Sequence, residues 1–262
     1  CALPICLRLA RVGVRDRSVG RVGRALRFAR ELGPAGLVRR IREAGVRDSC
    51  RFVVRNIRFA FAVRADRNFD RRHNVDTGGS IQLEFLGISG PNQAHGNEYV
   101  ATSPKAFAWM MQYLPRKLDA YRFIDIGCGK GRTVLLASEL GFARAVGVEF
   151  AHELAVCGQA NTRSFQSASG KTCPMEVIEA DATVISYPDA PLVVYFYNPF
   201  DREVFVGVLD NLLRSLDARP RDCWIVYASS KHETLGWVRP LVLGSGRFAE
   251  IETRPMPHFW DA

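Results

Sequence analysis

Phe123-Ile-Asp-Ile-Gly-Cys-Gly-Lys-Gly-Arg132, followed closely by Val146-Gly-Val-Glu149, is the stretch from which the rest of the chain can be read. Phe123 to Ile126 is a short apolar strand. Gly127, Gly129 and Gly131 give the backbone the freedom a tight strand-to-helix turn requires, and they let another group approach without meeting a Cβ. Thr133-Val-Leu-Leu-Ala-Ser-Glu-Leu140 continues as a helix with one apolar face, its N-terminal amides directed at whatever the loop holds. A second apolar run then ends in Glu149, eighteen residues beyond Gly131. The spacing is not that of a Walker A loop. If Gly129-Lys130 were the Gly-Lys pair, the first glycine would fall at Ile124, and Lys130 is followed by Gly131 rather than Ser or Thr.

Four apolar segments are predicted as buried parallel strands: Tyr121 to Ile126, Ala145 to Glu149, Met175 to Glu179 and Leu192 to Tyr197. Each ends in a polar device: Asp125 with the glycines, Glu149, Asp181-Ala182, and Asn198-Pro199-Phe200. In a doubly wound sheet, ligands bind beyond the carboxyl ends of the strands, so the four devices are expected in one crevice. Asp125 selects among adenosyl ligands. A dinucleotide would bring a pyrophosphate to the loop, and a carboxylate there would repel it. S-adenosylmethionine brings an ammonium and a sulfonium, which Asp125 attracts directly or through a water. Glu149 is placed to accept from both ribose hydroxyls and would repel a 2′-phosphate.

These residues resemble the class I S-adenosylmethionine-dependent methyltransferases. The likeness rests on Asp-x-Gly-x-Gly-x-Gly, the acid after the second strand, Asp-Ala after the third and Asn-Pro-Phe after the fourth, and it covers roughly residues 95 to 262. The earlier His95-Gly-Asn-Glu-Tyr99 is similar to the segment that closes over the cofactor in some of these enzymes. The resemblance implies that Asp125 and the loop Gly127-Cys128-Gly129 with Gly131 face the methionine end and Glu149 the ribose. It further implies Phe150 on an adenine face, Asp181 at the adenine amino group, a backbone contact from Ala182, and Tyr99 in the cover. Amino-directed members carry Asn-Pro-Pro and an aromatic; this chain has Asn198-Pro199-Phe200-Asp201, with one proline. In the functional reading the Asn198 carboxamide and a main-chain carbonyl orient a nucleophilic nitrogen while Phe200 walls the pocket. Asn198-Pro199 also reads as a plain strand-ending turn, Asp181 as a turn cap, and Tyr99 as packing. Cys128 reads as a small loop residue, since no neighbouring His activates it.

The chain has 262 residues, and its 47% hydrophobic content suffices for one substantial core. Seven cysteines with no Cys-x-x-Cys pair argue against a disulfide framework or zinc site and for a reducing, cytoplasmic setting. Five histidines without helical ligand spacing give no expectation of a metal. No apolar run approaches the roughly 20 residues that span a bilayer. The sequence starts at Cys1, which reads as a truncated or processed start.

Charge is uneven. Residues 1 to 72 hold nineteen Arg, no Lys and six acids, whereas the remainder carries a small negative excess within a total of +9. Arg17, Arg21 and Arg24, and Arg47, Arg51, Arg55 and Arg58, fall at helical spacing, with Gly33-Pro34 and Gly45 as interruptions. Three readings fit this arm: phosphate contacts to nucleic acid, an anionic membrane surface, or an Arg-rich solvated face. With 31 Arg to 5 Lys overall, the last follows from a GC-rich genome alone. The acid-poor start also resembles an organellar transit peptide, against which stand the acids at 16, 31, 43 and 48.

Ser103-Pro104 is predicted to open a helix running through Ala106, Trp109, Met110 and Leu114 to the residue before Pro115. A short strand is expected over Ile81 to Phe85, an amphipathic helix over Val204 to Leu216, and a strand over Cys223 to Ala228. Arg247 to Thr253 and Met256 to Trp260 are read as closing strands, the last antiparallel by the resemblance. The expected architecture is α/β: a Rossmann-like, doubly wound, mostly parallel seven-stranded sheet with helices on both faces. It divides into a basic helical appendage (1–75), a connection and covering helix (76–120) and a cofactor-binding domain (121–262). The expected function is S-adenosylmethionine-dependent methyl transfer, nitrogen favoured, to a protein, nucleic acid or small molecule. The alternatives are a non-catalytic binding module and, behind it, an NAD-dependent oxidoreductase.

Overall fold

The computed structural model describes residues 46, 64–81, 86, 95–229 and 232–254. Among them the central sheet has five strands, all parallel: β3 (Arg122–Ile126), β4 (Arg144–Glu149), β5 (Met175–Glu179), β6 (Leu192–Tyr197) and β7 (Cys223–Ala228). Their spatial order is β5-β4-β3-β6-β7. The chain therefore winds outward from β3 through β4 to β5, returns to the other side of β3 as β6, and winds outward again. This reversal beside β3 is what opens a crevice at the carboxyl ends of β3 and β6.

Strand alternation sends the sheet's side chains into two cores. Phe123, Ala145, Val193 and Tyr195 face α2 (Pro104–Met111), α3 (Arg132–Ser138) and α4 (His152–Ser164), meeting Phe107, Val134 and Ala155. Ile124, Ile126, Val148, Val194 and Phe196 face α5 (Arg202–Ala218) and α6 (His232–Gly244), meeting Phe205, Leu212 and Val238. Phe123, Ile126, Val193, Val194 and Tyr195 are fully buried, as expected of strands covered on both faces. Asp201 begins α5 by accepting hydrogen bonds from the amides of Glu203 and Val204.

Before the sheet lie a helix through residues 64–73, here α1, and a two-stranded antiparallel ribbon of β1 (Ser80–Ile81) and β2 (Tyr99–Val100). The strand expected over Ile81 to Phe85 keeps only its first residue in β1; 82–85 lie outside the described residues. The expected helix after Ser103 ends early, at Met111, and the Ser103 side chain makes no capping bond. Arg247 to Thr253 is not a strand. Glu250 is held by Arg239 of α6 (2.6 Å), Phe248 packs beside the α5–α6 core, and Ile251 is exposed. Met256 to Trp260 lie outside the described residues, so of the seven strands expected in the central sheet five are present among the described residues. The arginines at 17, 21, 24, 47, 51, 55 and 58 also lie outside them. No described helix is long and apolar enough to cross a membrane.

Candidate active site

The glycine loop leaves β3 between two side chains that come from far along the chain. Gly127 and Gly129 have φ of +77° and +54°, the left-handed region that side chains disfavour. A Cβ on Gly127 would fall 2.4 Å from Cβ of Pro199, and one on Gly129 would fall 2.2 Å from the ring of Tyr99. The loop is thus clamped between the Asn198-Pro199-Phe200 turn and the β2 tyrosine, and only glycine fits either surface.

Asp125 and Glu149 stand behind this loop, 2% and 4% exposed. Asp125 lies in register with Gly147 on β4 and Tyr195 on β6. Burial pushes its carboxyl up to about 7; the Thr133 hydroxyl, which donates to it, pulls the other way, and the Glu149 charge adds to the rise. Burial also raises Glu149, against the amides of Ala151 (2.9 Å) and Gly129 (2.8 Å) that donate to its two oxygens. Glu149 therefore ties the end of β4 to the middle of the glycine loop. The result is a pocket floor with two buried carboxylates close enough to interact, an arrangement that favours a cation. The Cys128 thiol is buried, and burial raises it well above its ordinary value, so it stays protonated.

The two basic residues of the loop carry their charges to segment 66–78, although Arg132 also borders the cavity. Arg132, 2% exposed, donates through Nε to the Thr77 hydroxyl (2.7 Å), pairs with Asp66 and reaches Asp70 at 3.5 Å. Asp70 in turn accepts from the amides of Thr77 (3.0 Å) and Gly78 (2.8 Å). Lys130 Nζ donates to Asp76 (3.0 Å) and to the Gly78 carbonyl (3.2 Å). Asn161 of α4 donates to the carbonyls of both Lys130 and Asp76, at 2.9 Å each, and the Tyr99 hydroxyl donates to the Thr77 carbonyl at 2.6 Å. Segment 66–78 is thereby fastened to the loop, to α4 and to the tyrosine covering the loop. Sequence reading gave Lys130 and Arg132 no role. A signal was present: Asp66 and Asp70, four apart on one helix face, are acids among arginines.

The crevice is a cavity of about 510 Å³. The expected loop residues Asp125, Gly127, Cys128 and Gly129 line it, as do Glu149 and Phe150 after β4. Asp181 and Ala182 line it from the end of β5, and Asn198, Pro199 and Phe200 from the end of β6, with Tyr99 opposite. Gly131 does not; it begins α3 and packs toward Val177. Asp181 Oδ1 accepts from the amide (2.9 Å) and hydroxyl (2.7 Å) of Thr183, so it caps the turn as well as facing the cavity. Asn97, within the expected covering segment, lines the cavity as well, and so do Thr133, Tyr195 and Tyr197, to which the sequence assigned no site role.

No protein-family model matches the sequence, and no curated protein sequence is similar to it. Among solved structures, it is similar to a precorrin-6y C5,15-methyltransferase from Geobacter metallireducens, with 18% identity, TM-score 0.46, and coverage of 68% of this chain and 85% of that one. It is also similar to SAM-dependent methyltransferases in complex with S-adenosyl-L-homocysteine. One is from Thiobacillus denitrificans (18% identity, TM-score 0.34, covering 43% of this chain and 44% of that one). The other is from Geobacter sulfurreducens (19%, TM-score 0.36, 47% of each). The likeness is one of fold. The chain spans less than half the length of the last two proteins.

Proposed function

We propose that this chain is an S-adenosylmethionine-dependent methyltransferase, with a nitrogen as the favoured acceptor. The observation that carries the reading is Asp125: a buried carboxyl raised to about 7, at the end of β3 in a cavity whose floor holds a second carboxylate. Such a group calls for a cation, which the cofactor's ammonium would supply and a pyrophosphate would not. Gly127 and Gly129, having no Cβ, let Pro199 and Tyr99 close on the loop, which brings both of those residues into the cavity wall beside Asp125. Glu149, besides bracing Gly129, has lone pairs left for ribose hydroxyls. Phe150 would lie against the adenine, with Asp181 and Ala182 at its edge.

When bound, the cofactor supplies an activated methyl group on sulfur. The chain's part is to position and to exclude water. Asn198 would orient the acceptor through its carboxamide oxygen, and Phe200, 7% exposed, would wall that side. A nitrogen acceptor must arrive with its lone pair free; its bond to carbon forms as the carbon–sulfur bond breaks, and the methylated nitrogen releases its extra proton to bulk solvent when the product leaves. The experiment is transfer of labelled methyl groups from S-adenosylmethionine into a cell extract, followed by nuclease and protease treatment to identify the acceptor fraction. Label is expected in one fraction, falling about 100-fold with Asn198→Ala, the usual scale for a lost orienting contact. Unchanged incorporation would remove Asn198 from the reaction.

A further inference from the structure

We propose that Asn97 is a positioning residue for methyl transfer, acting by fastening the Asn198-Pro199-Phe200 turn; the inference rests on the methyltransferase reading above. Asn198 has φ of +42°, a left-handed conformation at a residue other than glycine. Such a backbone persists only where its surroundings hold it. Here the holding is done by residues 95–97, which run antiparallel to 198–201. The Asn97 amide donates to the Pro199 carbonyl (2.9 Å), and its side-chain Nδ2 donates to the Asn198 carbonyl (3.0 Å). Gly96 bridges Phe200, the Asp201 amide donates to the His95 carbonyl (2.9 Å), and His95 Nδ1 meets Asp201 Oδ2 at 2.6 Å.

Asn97, with Gly96 before it, lines the cavity, and it is the member of the clasp whose side chain bonds the turn. It satisfies both carbonyls of the left-handed turn with its own two kinds of donor. Those carbonyls fix the peptide planes on either side of Pro199, and so the direction in which the Asn198 carboxamide leaves the backbone. The same turn seats Pro199 against Gly127, where there is no room for even a Cβ. A turn released from Asn97 would therefore lose its aim at the acceptor, while Asp125 and Glu149, held by Thr133, Gly129 and Ala151, would stay in place. The clasp thus separates acceptor alignment from cofactor binding.

Two variants of the full chain test this: Asn97→Ala, which removes the side-chain donor, and Asn97→Asp, which keeps the shape and turns a donor into an acceptor. Each is expected to lower labelled methyl incorporation at least tenfold at saturating S-adenosylmethionine, with its KM and the S-adenosylhomocysteine Kd within twofold of wild type. Amide exchange in peptides covering 198–204, measured with S-adenosylhomocysteine bound, is expected to quicken in both variants, with 125–131 unchanged. Incorporation within twofold of wild type, a parallel loss of S-adenosylhomocysteine affinity, or unchanged exchange at 198–204 would each overturn the proposal. A wild-type chain that binds no S-adenosylhomocysteine and transfers no label would instead remove the underlying methyltransferase reading, and exchange at 198–204 in the ligand-free chain would still decide whether Asn97 holds the turn.

Discussion

Asp125→Asn is expected to weaken S-adenosylhomocysteine binding by at least about 100-fold at pH 8, the scale of removing one partner from a buried ion pair. The same change should make the ligand-free protein more stable at that pH. Asparagine has the shape of aspartate and still accepts from the Thr133 hydroxyl, so the packing around β3 is kept. The sign of the stability effect follows from the direction of the pKa shift. With a folded-state value of about 7 against an ordinary 3.8, the folded protein holds a proton that the unfolded chain has released. The group's contribution is fully present below 3.8 and is lost as pH rises through about 7, so at pH 8 the wild type carries a buried charge beside Glu149. Asparagine removes that charge, and the melting temperature should rise by about 2–4 °C for each kcal/mol recovered. Binding has the complementary pH dependence. The ligand's ammonium needs the ionised carboxyl, so wild-type affinity should be flat above pH 7 and fall about tenfold per unit below it. Calorimetric titrations between pH 5.5 and 8.5 read the affinities, and thermal melts of the ligand-free proteins at pH 8 read the stability. Affinity independent of pH, or a variant within threefold of wild type, would show that Asp125 does not meet a cation.

Arg132→Met should have the largest effect on folding. The methionine fills much of the arginine's volume but leaves Asp66 and Asp70, with side chains 25% and 17% exposed, without their cation, and the Thr77 hydroxyl without its donor. Breaking a buried pair by removing one partner costs about 3–5 kcal/mol. The loss should appear as a lower urea midpoint. It should also weaken S-adenosylhomocysteine binding, because Arg132 opens the helix that follows the glycine loop. Neutralising the acids as well, in Arg132→Met with Asp66→Asn and Asp70→Asn, should recover most of the stability, since the penalty lies in the stranded charges and not in the missing arginine. A loss under about 1 kcal/mol for the single variant would mean the network is as weak as an exposed ion pair.

The parts of this fold legible in the sequence are those whose signal is local. Leu192 to Tyr197 and Cys223 to Ala228 are continuous apolar runs, and both form strands with the expected ends. Asp125 with its glycines is a strand, a turn and a helix start within ten residues, so its placement in the crevice could be read directly. Helix α6 has no comparable local signal, since it carries Pro240 inside it, a residue that ordinarily breaks helices. Arg247 to Thr253 alternates like a strand, yet Arg239 and the packing of Phe248 hold it against α6. The partners of Arg132 and Asn97 were not legible for another reason. Arg132 meets Asp66 and Asp70 across more than sixty residues, and Asn97 meets the Asn198 turn across about a hundred. No periodicity records such pairings; they exist only once β3 and β6 lie side by side.

The most direct test of the account is a calorimetric titration of the full chain at pH 8 with S-adenosylhomocysteine and, separately, with NAD. Micromolar-class binding of S-adenosylhomocysteine, lost in Asp125→Asn, is expected, with no measurable heat from NAD. Binding of NAD in preference to S-adenosylhomocysteine would contradict it, because the loop would then accept a pyrophosphate beside the carboxylate of Asp125.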